Sequence, residues 1–385
     1  MIFNLRRRSV SSVVGLDLGS HSIKVVEIDH SGKAPLLVNY GITELLPGAV
    51  VNGQIKERDA VLEAINVLFD SCQITGRQVN IALNGADVII KTIKTDRMND
   101  EELAKAITWE AEQQVPFPLS EISMDYQVLD PDTEGEQMNV LLVAAKRDLI
   151  NEKLSLLEEA GFDVLLLDVD TFCLLNALES SFAAQPDSCH CIVHFGNEST
   201  HLGLVRGGLP ILTRNLPVGG RKLVDIIQDQ MGIDEDQAYM ALYGSAGDEE
   251  LLEGAAVQEE PAESPLEPST ETSEPTPGEP PAQSGDISPY IDSFLDDVSI
   301  GVNRAAAFLE STEESGSITT IYLSGGCANI SDIDRKFEEK VGIPTIIANP
   351  LSELSYKAEL FQAEPAEKVA ATLMLAIGLG LRVPD

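Results

Sequence analysis

The apolar residues of the chain fall into short runs whose period changes at polar or glycine-containing breaks. Val13–Ile28 (VVGLDLGSHSIKVVEI) reads as a strand, a tight polar turn and a second strand, and Leu36–Thr43 as a third. At Glu57–Cys72 the period becomes helical, with Val61, Leu62, Ile65, Leu68 and Phe69 on one face. Val79–Leu83 and Val88–Ile93 are short strands around the turn dipeptide Asn84-Gly85. A helix starts at Asp100 with three acids in its first turn, passes through Trp109, and must stop near Pro116. Asp125–Leu129 and Asn139–Ala145 are predicted to pair across a loop. The helix Arg147–Ala160 ends at Gly161, the strand Asp163–Leu167 follows, and then the helix Thr171–Ser180.

From Cys189 the opening pattern returns. Cys191–Phe195 is a strand, Gly196–Thr200 a small polar turn, and His201–Arg206 a strand. Gly207-Gly208 turns the chain into a further strand, Ile211–Leu216. Gly219-Gly220 then opens the helix Arg221–Met231, and Asp234–Leu242 is helical. After the helix Tyr290–Glu310, the strand Thr319–Leu323 runs into Ser324-Gly325-Gly326-Cys327-Ala328-Asn329 and a helix over Ile330–Val341. Pro344–Ala348 is a strand and Glu367–Leu379 a closing helix. An isolated turn such as 17–22 could belong to an ordinary hairpin. Three glycine-containing turns at strand ends suggest two related halves facing one cleft. Such turns offer backbone amides, hydroxyls and a nearby lysine (Lys24), which is what a phosphate needs.

Composition narrows the classes. With 385 residues and a hydrophobic content of 43%, the chain is predicted to hold more than one globular unit. A net charge of -37 disfavours nucleic-acid phosphates as partners. Residues 247–286 carry twelve acidic residues, seven prolines and no lysine or arginine, a composition expected to be disordered. The basic start Arg6-Arg7-Arg8 reads as a flexible solvated tail, with an anionic membrane surface as the other reading. The apolar run Val369–Leu381 is too short to span a bilayer. No secretory signal is read, so the chain is expected to be cytoplasmic. Five cysteines without CxxC spacing, and five histidines without HExxH spacing, give no metal-hydrolase signature.

The three turns, in this order, resemble the actin–hexokinase–Hsp70 ATPase superfamily: GLDLGSHSIK its first phosphate loop, FGNEST its second, YLSGGCAN its adenosine loop. DEELAKAITWEAEQQVPFPLSEISMDYQVL, LLVAAKRDLI, AGFDVLLLDVDTFCLLNAL, LTRNLPVGG and LAIGLGLR narrow the resemblance to the type IV pilus assembly protein PilM family, related to the cell-division protein FtsA. The resemblance implies an α/β, actin-like two-domain fold with duplicated mixed sheets. It places the first half at 13–84 and 166–185 with the closing helix 367–382, and an FtsA-type inserted subdomain at 85–165. The second half falls at 186–246 and 287–366, with 1–12 a flexible start and 247–286 the acidic insert.

The resemblance also implies ATP in the cleft, with Asp17, Gly19, Ser20, Ser22 and Lys24 in the first loop. Gly196, Glu198, Ser199 and Thr200 match the second, followed by Gly219 and Gly220, and Gly325 and Gly326 match the adenosine loop. Asp17 would serve Mg²⁺ indirectly, through a water. The implied role is a scaffold of the pilus inner-membrane complex in twitching motility, docked at the membrane periphery. It would hold the cytoplasmic N-terminal tail of PilN between the inserted subdomain and the first half, and through PilN reach PilO and the motor ATPases. Two departures predict weakened nucleotide binding. His194 stands where the second loop normally has an aspartate, and Tyr239 and Leu242 stand where the following helix normally has Glu and Lys. The alternatives are an active actin-like ATPase or sugar-kinase-like enzyme, with Glu198 offered as base, and a GspL- or MshI-like secretion component.

Overall fold

The computed structural model describes residues 3–4, 11–85, 87–131, 135–183, 185, 187–244, 286–311, 316–362 and 364–383. The arginines at 6–8 and the acidic stretch 247–286, except Asp286, lie outside these residues.

Two sheets share one plan. In the second, the spatial order is Leu209–Leu216, Thr200–Arg206, Cys189–Phe195, Ile318–Gly325 and Thr345–Ile347. The first three strands are an antiparallel meander and the last two join in parallel. The first sheet repeats this with Leu36–Glu44, Ser22–Asp29, Ser12–Leu18, Gln78–Leu83 and Asp163–Val169. Central strands such as Ser12–Leu18 and Cys189–Phe195 are covered on both faces, which is why they are apolar almost throughout rather than alternating. The Gly207-Gly208 turn has φ of 56° and 76°, the left-handed pair that two-residue hairpins require.

The first sheet is wider than the sequence implies. Phe3–Asn4 pairs antiparallel with Leu166–Leu167, so the flexible reading of 1–12 is corrected there. The Asp163–Val169 strand otherwise presents an open edge, and a short strand satisfies its backbone groups. Ser355–Tyr356 pairs in parallel with Leu36–Leu37, so this piece of 287–366 belongs to the first sheet rather than the second half. Asn84-Gly85 is not a hairpin turn. It passes the chain from the first sheet into the separate sheet of Val88–Asp96, Gln137–Lys146 and Ile122–Val128.

That three-stranded sheet explains the 85–165 stretch. The Gln137–Lys146 strand is buried on both faces. Val140, Leu142 and Ala144 pack against Leu103, Ile107 and Ala111 of the helix Asp100–Gln114. Leu141, Val143 and Ala145 face the first-half core, together with Leu156 and Leu157 of the helix Arg147–Glu159. Asn99 caps the start of Asp100–Gln114, its side chain accepting from the Glu102 N–H at 3.0 Å.

The helix Ala366–Leu381 lies between the two main sheets. One side meets Val26, Ile28 and Leu37, and the other meets Leu174, Leu178, Ile192 and Tyr322. A helix covered on all sides has no polar face to keep, and this one is apolar around its circumference. Its small residues permit backbone contact. A Cβ on Gly378 would strike the Cys173 carbonyl, and one on Gly15 the Ala376 carbonyl.

Candidate functional site

The three glycine turns meet where the two halves face each other. Asp17 and Lys24, partners across the first hairpin, form an ion pair of 3.3 Å. Lys24 also donates to the Ser22 carbonyl at 3.3 Å. Across the cleft Asn197 Nδ2 donates to Ser20 Oγ at 3.4 Å, and Glu198 Oε2 accepts the Asn52 N–H at 2.6 Å. Asn52 has φ 51°, and the carboxylate of Glu198 caps that left-handed turn. Glu198 is therefore committed to bridging the halves, not set as a free base. Thr200 is fully buried with its hydroxyl donating to the Val218 carbonyl at 2.7 Å, so it supports its loop from behind. The Gly196 N–H is taken by the Ser199 carbonyl and the Gly220 N–H by the Gly196 carbonyl, both at 3.0 Å. Gly219 sits against the Asn197 backbone and Gly325, at φ 85°, against the Phe195 carbonyl. Gly326 faces open space.

Beneath the loops lies a set of buried ionisable groups. His194 hydrogen-bonds to Ser324 at 3.0 Å and stands opposite His201 in the strand ladder. His201 Nε2 lies 3.5 Å from Asp170 Oδ2. Burial, with His201 and Lys24 nearby, holds His194 well below the usual imidazole value. Burial brings His201 to about 4, partly opposed by Asp17. Burial, reinforced by Asp17 and opposed by Lys153, raises Asp170 to about 7. Lys153 is 2% exposed, and burial lowers its pKa against the attraction of Asp170 and Asp17. Asp170, His201 and Lys153 were not singled out from the sequence. Lys153 had a legible signal: it occupies a core position in the Leu149, Lys153, Leu156 spacing of its helix.

A hydrated Mg²⁺ is held through one or two carboxylates plus ligand phosphates. Here the Asp17 carboxylate is already paired with Lys24, and Asp170 lies 3.5 Å from His201 Nε2. The second-loop position is a neutral imidazole bonded to Ser324. Among the described residues no group of three or more His, Cys, Asp or Glu could hold a metal ion.

At the cleft mouth His21 stacks on Tyr239 with ring centroids 5.3 Å apart, and Tyr239 on Tyr243 at 6.3 Å. These residues lie on opposite halves. Leu242 does not line the mouth as expected. It is 5% exposed and packs in the second-half core with Ala238, four residues earlier on the same face.

A separate groove with a cavity volume of about 170 Å³ opens between the inserted sheet and the first half. Its walls are Asp125–Gln127, Leu129, Leu141 and Val143 from the inserted sheet, and Phe172, Leu175 and Asn176 from the helix Asp170–Ala177. Gly208–Pro210 of the second-half hairpin and Arg382 close it. The Ile122–Val128 strand beside it is an edge of its sheet. Asn176 Nδ2 is buried without a hydrogen-bond partner, and Asp125 is raised by burial.

A family model described as "Type IV pilus assembly protein PilM" matches residues 15–246 and 283–383. The chain belongs to the PilM family. Among solved structures, one of a PilM-PilN type IV pilus biogenesis complex is similar over 97% of this chain and 99% of that one, at 25% identity and a TM-score of 0.79. The ethanolamine utilization protein EutJ from Carboxydothermus hydrogenoformans covers 99% and 92% at 13% identity, TM-score 0.54. Diol dehydratase-reactivating factor in nucleotide-free form covers 96% and 99% at 11%, TM-score 0.51. The last two speak to the fold alone, and that fold is the actin-like duplication described above. For this PilM-family chain, no helix among the described residues is long and apolar enough to cross a membrane.

Proposed function

We propose that this chain is a cytoplasmic scaffold of the type IV pilus assembly complex that takes the N-terminal tail of PilN into the groove at Asp125–Leu129. The observation that carries this is the groove itself. It takes apolar lining from Leu129, Leu141, Val143, Phe172 and Leu175, lies beside a strand at the edge of its sheet, and holds an unpartnered amide donor on Asn176. An extended peptide offers carbonyls to such a donor, backbone groups to such an edge and side chains to such walls. A chain bound this way would be tied to PilO, the motor ATPases and the membrane periphery through PilN. Calorimetric titration with a synthetic peptide of the cognate PilN N-terminus tests the reading. Saturable one-to-one binding is expected, and a flat titration refutes it.

The cleft is assigned to adenine nucleotide on Gly19, Ser20, Lys24, Gly325 and Gly326, with a regulatory or structural role rather than turnover. Phosphoryl transfer requires a water-positioning group and an intact metal site. Glu198 is engaged with Asn52, and His194 contributes no charge to a metal. Both facts favour the scaffold over an ATPase or sugar-kinase-like enzyme.

A further inference from the structure

The groove is too small to hold an extended peptide by itself. Its cavity of about 170 Å³ lies below the roughly 300 Å³ at which pockets begin to enclose a drug-sized ligand. A peptide seated in it must continue along backbone beside it. The strand Asp163–Val169 offers such backbone. It leads straight into the groove-lining helix Asp170–Ala177. Asp168 Oδ2, near its end, lies 3.2 Å from Nε of Arg382, another groove residue. One flank of this strand pairs with Gln78–Leu83 and the other carries Phe3–Asn4.

Phe3 stands opposite Leu167, one residue short of Asp168, and Asn4 stands opposite Leu166. The pairing is antiparallel, so the short strand starts at the groove end of its partner and runs away from it. It meets two residues of a strand of seven. So short a ladder forms few hydrogen bonds, each worth little net in water, and another extended segment can replace it. The backbone groups of Leu166 and Leu167 on that flank cannot pair with both.

We propose that Phe3–Asn4 is a built-in competitor of the extended peptide that the groove takes, and that the incoming peptide displaces it to pair with the Leu166–Leu167 edge. The inference rests on the peptide reading of the groove and adds a regulation to it. Apparent peptide affinity is reduced by the fraction of molecules whose own strand is docked. A strand that merely closed the sheet edge would add stability and leave peptide affinity untouched.

The test compares the unaltered full chain with the full chain carrying Phe3→Pro and Asn4→Pro together. Proline has no N–H to give to a ladder, so this pair of substitutions undocks the strand without shortening the chain. Calorimetric titration with the cognate PilN peptide is expected to show affinity about threefold or more tighter in the variant. Affinities that agree within about twofold overturn the proposal and leave the groove reading standing. Absence of binding to both chains overturns the groove reading, and the proposal with it. Should the variant fail to fold, hydrogen exchange on the unaltered chain decides. The Phe3 and Asn4 amides are expected to lose protection as the peptide saturates the protein, and unchanged protection overturns the proposal.

Discussion

His194 and His201 are the residues whose chemistry departs furthest from what their positions in the loops suggest. A carboxylate at 194 would restore the charge that the second loop normally carries. The variant His194→Asp is therefore expected to gain Mg²⁺-dependent ATP affinity over the unaltered chain, and equal affinities in calorimetry would refute the reading. The same two residues set a pH response. His201 falls from 6.5 unfolded to about 4 folded, so the unfolded chain binds the extra proton between those values. Its contribution to stability is complete above 6.5 and is lost as the pH falls toward 4, and His194 acts in the same direction. Asp170 opposes them. Raised from 3.8 to about 7, it keeps a proton that the unfolded chain releases, so its contribution is lost as the pH rises through that window. Comparing His201→Gln with the unaltered chain isolates the imidazole. The unaltered protein is expected to lose about 2 kcal/mol more stability than the variant between about pH 7 and pH 5. Parallel melting curves across that range would show that His201 is not held neutral.

At the scale of elements, the helix Ala366–Leu381 shows how close contact replaces side-chain bulk. Gly378 packs directly on the Cys173 carbonyl of a neighbouring helix, and no side chain can yield there because the opposing atom is backbone. Gly378→Ala is expected to destabilise the fold by about 1–3 kcal/mol, read as a lowered denaturant midpoint. Gly326→Ala, where an added Cβ meets nothing, is expected to stay within about 0.5 kcal/mol of the unaltered chain. Near-equal losses would mean that the helix can shift to relieve the clash. The sequence made this helix legible as one packed through small residues. It also made both phosphate-type hairpins legible, because their strands are apolar runs broken by small polar turns. Strand partners were less legible. Val79–Leu83 and Val88–Ile93 look like a hairpin locally, yet non-local pairing sends them to different sheets. Ser355–Tyr356 carries too little pattern in two residues to reveal its place beside Leu36–Leu37. Thr200, Glu198 and Leu242 turn toward Val218, Asn52 and the core, contacts that depend on elements distant in the chain.

At the scale of the whole molecule, the groove and the cleft share structural parts. The helix Asp170–Ala177 begins at the cleft with Asp170 and lines the groove with Phe172, Leu175 and Asn176. Arg382, which also lines the groove, reaches Asp168 at 3.2 Å, two residues before Asp170. The remaining wall, Gly208–Pro210, comes from the second half, on the hairpin that follows His201. A peptide seated there touches all three parts of the chain, so its affinity depends on a residue that neither the inserted subdomain nor the first half supplies. Leu209 offers the cleanest probe, because it is 43% exposed and contributes little to the fold by itself. Leu209→Glu is expected to weaken binding of the cognate PilN peptide about tenfold while leaving the melting temperature of the free protein unchanged, since it removes an apolar wall and sets a charge in its place. Undiminished peptide affinity in that variant would place the binding surface on the inserted sheet and the first half alone.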